Sequence, residues 1–248
     1  MRSTLLGVSA IVALVAALGV SPGPSQAALG SDGAAIRTVA VTTTRPTPKP
    51  LLRPTSAPYR HTGNSAVALT FDDGPDPHWT PQVLALLRKN HIKATFCLIG
   101  VNVKAHPDLV RKIAVDGHTL CNHTMRHDLN LKTKSRSVID ADLRATSRLI
   151  TRASGGVRPT YFRAPGGNWS ATIVSVARQQ GMALLGWVVD PRDWAKPPSS
   201  TIVTRVRAGV GPGTIVLMHD GGGDRSRTVA ACKVLLPELK SKYRLARL

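Results

Sequence analysis

From Ala66 onward the chain alternates short apolar runs with stretches of helical periodicity. Ala66-Val67-Ala68-Leu69-Thr70 is too short for a core helix, and its unbroken apolarity predicts a buried strand. Residues 80–90 follow as a helix with Val83, Leu86 and Leu87 on one face. The same reading gives strands over Ala94–Ile99 and Thr119–Asn122, a strand end at Tyr161-Phe162, and strands over Gly186–Asp190 and Gly213–His219. Helices are expected at 106–116, 134–153, 169–181, 199–209 and 225–242, and Tyr243–Leu248 is a candidate closing strand. Strands that alternate with helices predict a parallel sheet with helical crossovers, an α/β fold. About seven such units favour a distorted or incomplete (β/α) barrel, with a doubly wound sheet as the alternative.

Before this region the texture changes twice. Arg2 precedes an apolar run from Leu5 to Val20, and Ser25-Gln26-Ala27 offers small residues at the −3 and −1 positions of a cleavage site. Residues 1–27 therefore read as a signal peptide. A retained membrane anchor is the competing reading, and the run is short of the roughly 20 apolar residues that a spanning helix needs. Residues 28–63, with Thr42-Thr43-Thr44-Arg45-Pro46-Thr47-Pro48-Lys49-Pro50, have the composition of an extended, disordered linker that cannot form a core. Residues 64–248 form the expected globular domain. No later stretch is long enough to span a bilayer, so a secreted or wall-associated protein with no membrane span after signal removal is expected.

Charge sharpens that expectation. The chain carries 33 Lys and Arg against 14 Asp and Glu, net +19. Such a balance suits nucleic acid or another polyanion. Aromatic content of only 4% and the absence of a nucleic-acid module argue against nucleic acid, leaving electrostatic association with an anionic cell wall or a merely solvated basic surface. Nothing in the chain points to an oligomer, so a monomer is expected. Three cysteines, Cys97, Cys121 and Cys232, allow at most one internal bridge and match no zinc spacing.

Reactive residues gather where strands end. Thr70-Phe71-Asp72-Asp73-Gly74-Pro75 sets two carboxylates side by side, which repel unless a cation or donor intervenes. Taken alone this is equally a turn. His123 and His127, four apart, can face one metal ion, and an Asp with two His leaves positions open for water and substrate. Arg163 can hold a carboxylate through two N–H groups, and the following Gly166-Gly167 permits close backbone approach to an oxyanion. Asp190-Pro191-Arg192-Asp193-Trp194 and the apolar strand that ends in His219-Asp220 complete five such segments.

In this order the five segments resemble the motif set of the polysaccharide deacetylase family, the nodulation-type carbohydrate esterases of family four, across residues 64–248. Gly117-His118 leading to Asn122-His123-Thr124 resembles the same family's approach to its metal histidines. The resemblance implies Asp72 as catalytic base, and Asp73, His123 and His127 as ligands of one divalent ion, zinc first, cobalt or another ion otherwise. It implies Thr124 as a brace of the histidine loop, Arg163 as the partner of Asp72, and the Gly166 N–H as an oxyanion donor. Asp193 would partner the catalytic acid His219, and Trp194, Leu217 and Pro165 would contact substrate. The implied activity is removal of N-acetyl groups from N-acetylglucosamine units of peptidoglycan or chitin-like polymers. An acetylxylan-type O-acetyl esterase and a non-catalytic wall-binding protein are the alternatives. Two departures from the family pattern stand out: Gly166 replaces a common aromatic, and Cys97 and Cys121 replace the usual Phe and Gly. The two cysteines fall in consecutive strands, so a disulfide and a pair of buried thiols both remain open.

Overall fold

The computed structural model describes residues 55–248. The expected signal peptide and residues 28–54 of the expected linker lie outside the described residues.

Six short strands form one sheet: β1 (Ala68–Asp72), β2 (Thr95–Leu98), β3 (Thr119–Asn122), β4 (Tyr161–Phe162), β5 (Ala183–Leu184) and β6 (Ile215–His219). Every pairing is parallel, in the order β5-β4-β3-β2-β1-β6. Parallel neighbours need crossovers. These are α1 (Trp79–Lys89), α2 (Gly100–Ala105), α3 (Pro107–Val115), α4 (Arg136–Ala153), α5 (Ala171–Gln179) and α6 (Ser199–Gly209), and α7 (Ser226–Lys242) follows the last strand. The sheet curls until the chain leaving β5 meets the outer edge of β6, where Leu217 N–H donates to Val189 O at 2.9 Å and Val189 bridges Val216. The result is the incomplete α/β barrel that the pattern predicts.

Three details differ from expectation. The strand expected at 186–190 shrinks to the Val189 bridge, while the paired residues are Ala183 and Leu184. Residues 182–189 are one nearly continuous apolar run, which hides where pairing begins. The closing strand at 243–248 is likewise a single bridge, between Val67 and Leu245. Finally, the ordered domain begins before residue 64: Tyr59 N–H donates to Leu184 O, Gly186 N–H donates to Tyr59 O, and His61 bridges Thr214.

Successive side chains alternate between the two faces of a strand. Leu69, Phe71, Phe96, Leu98, Leu120, Val216 and Met218 join the large core beneath α1, α3, α6 and α7. The inner face carries Ala68, Cys97, Cys121, Tyr161, Ala183 and Ile215, which pack with Leu185 and Leu248. Cys97 and Cys121 are register partners on β2 and β3 and form a disulfide. Cys232 is a buried thiol in the α7 core stripe. Among the described residues no helix is long and apolar enough to cross a membrane.

Candidate active site

Parallel strands bring their C-terminal ends to one rim, and the inner-face alternation selects what the rim presents. Asp72 pairs in register with Cys97 and with His219. His123 follows two residues after Cys121, and Arg163 two residues after Tyr161, so both continue the inward row.

Asp73, His123 and His127 offer ligating atoms that all lie within 4.8 Å of one another. His123 Nδ1 sits 2.8 Å from the Arg163 carbonyl, which fixes the ring and turns Nε2 toward Asp73 Oδ1 at 3.5 Å. His127 Nε2 approaches the same oxygen at 3.4 Å. Asp73 Oδ1 is buried and, among the described residues, has no hydrogen-bond donor. A buried acceptor left without a donor is costly, and a divalent cation is what an oxygen facing two imidazole nitrogens suits. The three residues therefore fit a metal ion.

The backbone around this trio is strained. Asp73, Thr124 and His127 occupy the left-handed region at φ of 71°, 66° and 56°, a cost of about 1–3 kcal/mol each for residues other than glycine. Local bonds hold them there: Asn102 Nδ2 donates to Asp73 O at 2.8 Å, and His127 N–H donates to Thr124 Oγ1 at 3.1 Å. Asn122 Oδ1 accepts from Thr124 N–H at 2.9 Å. Gly222 closes the other side, where a Cβ would come within 2.7 Å of Asp73 Oδ2.

Electrostatics follow from this crowding. Burial opposes ionisation of Asp73, but the close His123 imidazole, with His219 and His127 nearby, outweighs it and holds the carboxyl well below its usual range. Burial also opposes a charge on His123, yet Asp72 and Asp73 raise its pKa. Burial and the neighbouring His123 lower that of His127.

Two ion pairs flank the trio. Arg163, fully buried, donates through Nη1 to Asp72 Oδ1 at 2.6 Å and to Thr70 Oγ1 at 2.8 Å, and its other nitrogens reach the carbonyls of Leu185 and Gly186. Asp72 Oδ2 lies 3.6 Å from His123 Nε2. Opposite, His219 Nδ1 and Asp193 Oδ1 are 2.7 Å apart, and Asp193 Oδ2 accepts from His219 N–H and the Thr228 hydroxyl. Burial resists a charge on His219, but the bond to Asp193, then the charges of Asp193, Asp72 and Asp73, raise its pKa. Behind them Asp220 is completely buried and accepts the Thr80 hydroxyl, and burial pushes its pKa up to about 7.

Asp72, Asp73, His123, His127, Gly166, Trp194, Leu217 and His219 all line one pocket of about 360 Å³. Thr124, Arg163 and Asp193 stand behind it as supports. Pro165 is buried at the start of the turn that carries Gly166 and does not line the pocket. The pocket also contains Leu129, Trp187 and Asp190. Asp190 is tied to Trp194 Nε1 at 3.4 Å. Asp190 opens one of the five segments that the sequence singles out, whereas Trp187 showed only as an aromatic in the run that leaves β5, which periodicity could not aim inward, and Leu129 left no signal.

Comparison with known proteins agrees with this geometry. A family profile described as polysaccharide deacetylase matches residues 59–185. A chitooligosaccharide deacetylase of Bradyrhizobium is 40% identical over 191 residues, covering 73% of this chain and 87% of that protein. A peptidoglycan-N-acetylglucosamine deacetylase of Bacillus cereus is 43% identical over 178 residues, 71% of this chain and 82% of that one. The chain belongs to the polysaccharide deacetylase family and is a hydrolase of N-acetyl amide bonds. Among solved structures, a wild-type family-four carbohydrate esterase pseudoenzyme from Bacillus anthracis superposes with a TM-score of 0.72 at 30% identity, covering 78% of this chain and 68% of that one. The fold is thus shared with a pseudoenzyme, which throws the weight of activity onto individual site residues.

Proposed function

We propose that this protein is a secreted, metal-dependent N-deacetylase that removes acetyl groups from N-acetylglucosamine units of peptidoglycan or a chitin-like polymer. The observation that carries the reading is a buried Asp73 oxygen without a donor, faced by His123 and His127 and flanked by Asp72 and His219 in one pocket.

Asp73, His123 and His127 would hold the divalent ion, zinc being the first expectation from an Asp and two His. When bound, such an ion makes water a stronger acid and polarises an acetyl carbonyl. Asp72 has one oxygen committed to Arg163 and the other directed into the pocket, the posture of a general base that takes the proton of the attacking water. Gly166, at φ 59°, presents backbone to the same space, where its N–H would meet the tetrahedral oxyanion. An amide nitrogen cannot leave as an anion, so a proton must reach it. His219, with Nδ1 on Asp193, keeps Nε2 for that donation. Trp194 and Leu217 would wall the acetyl methyl.

Export rests on residues 1–27 alone, and association of the monomer with an anionic wall rests on the net charge of +19. The test is acetate release from peptidoglycan, chitooligosaccharides and acetylated xylan, with and without chelator. Release from the first two, lost on chelation and restored by zinc, is expected. Release from xylan alone, or indifference to chelator, overturns the proposal.

A further inference from the structure

Gly166 and Trp187 line a second cleft as well as the catalytic pocket, so the two spaces adjoin. This flanking cleft also measures about 360 Å³, within the range of small-ligand sites. Its opening depends on the two glycines. A Cβ at Gly167 would stand 2.9 Å from the Trp187 ring, and one at Gly166 would stand 3.0 Å from Leu129. The absence of side chains there leaves Trp187 as an aromatic wall common to both spaces. The Arg163 guanidinium lies 5.5 Å from the ring centroid, and Arg60 Nε donates to the Trp187 backbone carbonyl at 2.8 Å. Trp169, packed edge-on against Phe162, forms another aromatic wall of the cleft without entering the catalytic pocket.

Charge separates the two spaces. The catalytic pocket is lined by three carboxylates, Asp72, Asp73 and Asp190, whereas among the described residues Arg60 is the sole charged residue lining the cleft. Arg60 is exposed, and Nε is its only nitrogen bonded among the described residues, so its terminal nitrogens face solvent as a fork suited to a carboxylate.

We infer that this cleft is a subsite for the sugar next to the one being deacetylated, with Trp187 and Trp169 against the ring and Arg60 on a carboxylate-bearing substituent. The inference rests on the deacetylase reading and narrows it toward peptidoglycan. There alternate amino sugars carry a lactyl ether whose carboxyl group is free or extended by an acidic peptide, while chitin-like chains are uncharged. Apolar sugar faces suit aromatic walls, and a guanidinium discriminates between charged and uncharged neighbours by electrostatics.

The test compares kcat/KM for acetate release from three glycans of equal length: a chitooligosaccharide, a peptidoglycan glycan stripped to its lactyl carboxylates, and the same glycan with its peptides. The wild type is expected to favour at least one charged glycan by about tenfold, a ratio that shrinks with salt as a single exposed ion pair would. Arg60→Gln removes the charge and should bring the ratio close to one, and Arg60→Glu should invert it. Whichever charged glycan shows the larger loss identifies the carboxylate. A wild-type ratio near one, or a ratio unchanged in both variants, overturns the subsite while leaving deacetylation standing. No acetate from any of the three overturns both.

Discussion

The two ion pairs that flank the metal trio are mirror images in chemistry. In one, a fully buried cation, Arg163, holds a carboxylate that reaches the pocket, and in the other a fully buried carboxylate, Asp193, holds an imidazole that reaches it. The side chains that meet the pocket, Asp72 and His219, are 4% and 10% exposed, and their partners are at 0%. In each pair the inner partner is tied to further groups: Thr70 and two carbonyls for Arg163, Thr228 and the His219 N–H for Asp193. A buried charge is tolerated only when paired and hydrogen-bonded. Satisfying the inner member fully therefore leaves the outer member with a fixed direction and one free functional atom. Opposite signs on the two inner members assign base to one side and acid to the other.

Removing the outer member of either pair should break this division most severely. Asp72→Asn keeps the shape and loses the proton acceptor, so kcat should fall by about 10³–10⁴ with folding intact by circular dichroism. Retention of more than a tenth of wild-type turnover would exclude Asp72 as the base. His219→Gln should cost about 10²–10³ on amide substrates. The phenolate of a phenyl acetate leaves without needing a proton, so hydrolysis of that ester should suffer far less. Equal losses on amide and ester would remove His219 from the acid role.

The inner members sharpen the comparison with smaller effects. Asp193→Asn takes away the main cause that raises the His219 pKa and leaves burial, which lowers it. A general acid works below its pKa, so wild-type activity should fall as pH rises through a value above 6.5. In the variant that alkaline limb should move to lower pH, with kcat at its optimum down by about tenfold. An unmoved limb would mean that another group donates the proton.

The members of both pairs were legible in the sequence because they end strands or follow them closely, where a parallel fold exposes chemistry, while who pairs with whom came from the family resemblance. The ligand trio was legible for the same reason, together with the i, i+4 spacing of its histidines. Trp187, Leu129 and Arg60 were not. Their roles depend on where loops come to lie, and on backbone approaches such as Trp187 to Gly167 that no periodicity records. Gly222 is a similar case, since its φ of 75° and the Asp73 carboxylate across the rim both exclude a side chain and neither shows in a periodicity. Among the elements, α2 escaped notice because six residues that begin with glycine and end at His106-Pro107 carry little helical pattern. The sheet itself was easier to read than its edges. β1, β2, β3 and β6 are compact apolar runs, while β5 and the Val189 bridge share one run whose pairing is decided by closure of the barrel.

The smallest expected effect on turnover concerns the disulfide beneath the rim. Cys97 is in register with Asp72 on β1, and Cys121 precedes His123 by two residues on the same face, so the bridge underlies both the base and a metal ligand. Two mechanisms are open to it: locking those strands relative to one another, or stabilising the fold as a whole. The hydrogen-bond ladder β1-β2-β3 already sets the strand register, and Asp72 takes its direction from Arg163 on β4's C-terminal side. The second mechanism should therefore dominate. Closing a loop with 24 residues of sequence separation corresponds in the chain-entropy treatment to about 3.5 kcal/mol. Replacing both cysteines by Ala should lower the denaturant midpoint accordingly and leave kcat at 25 °C within about twofold of wild type. A tenfold fall in kcat with the variant still fully folded would show instead that the bridge holds the base side of the site in place.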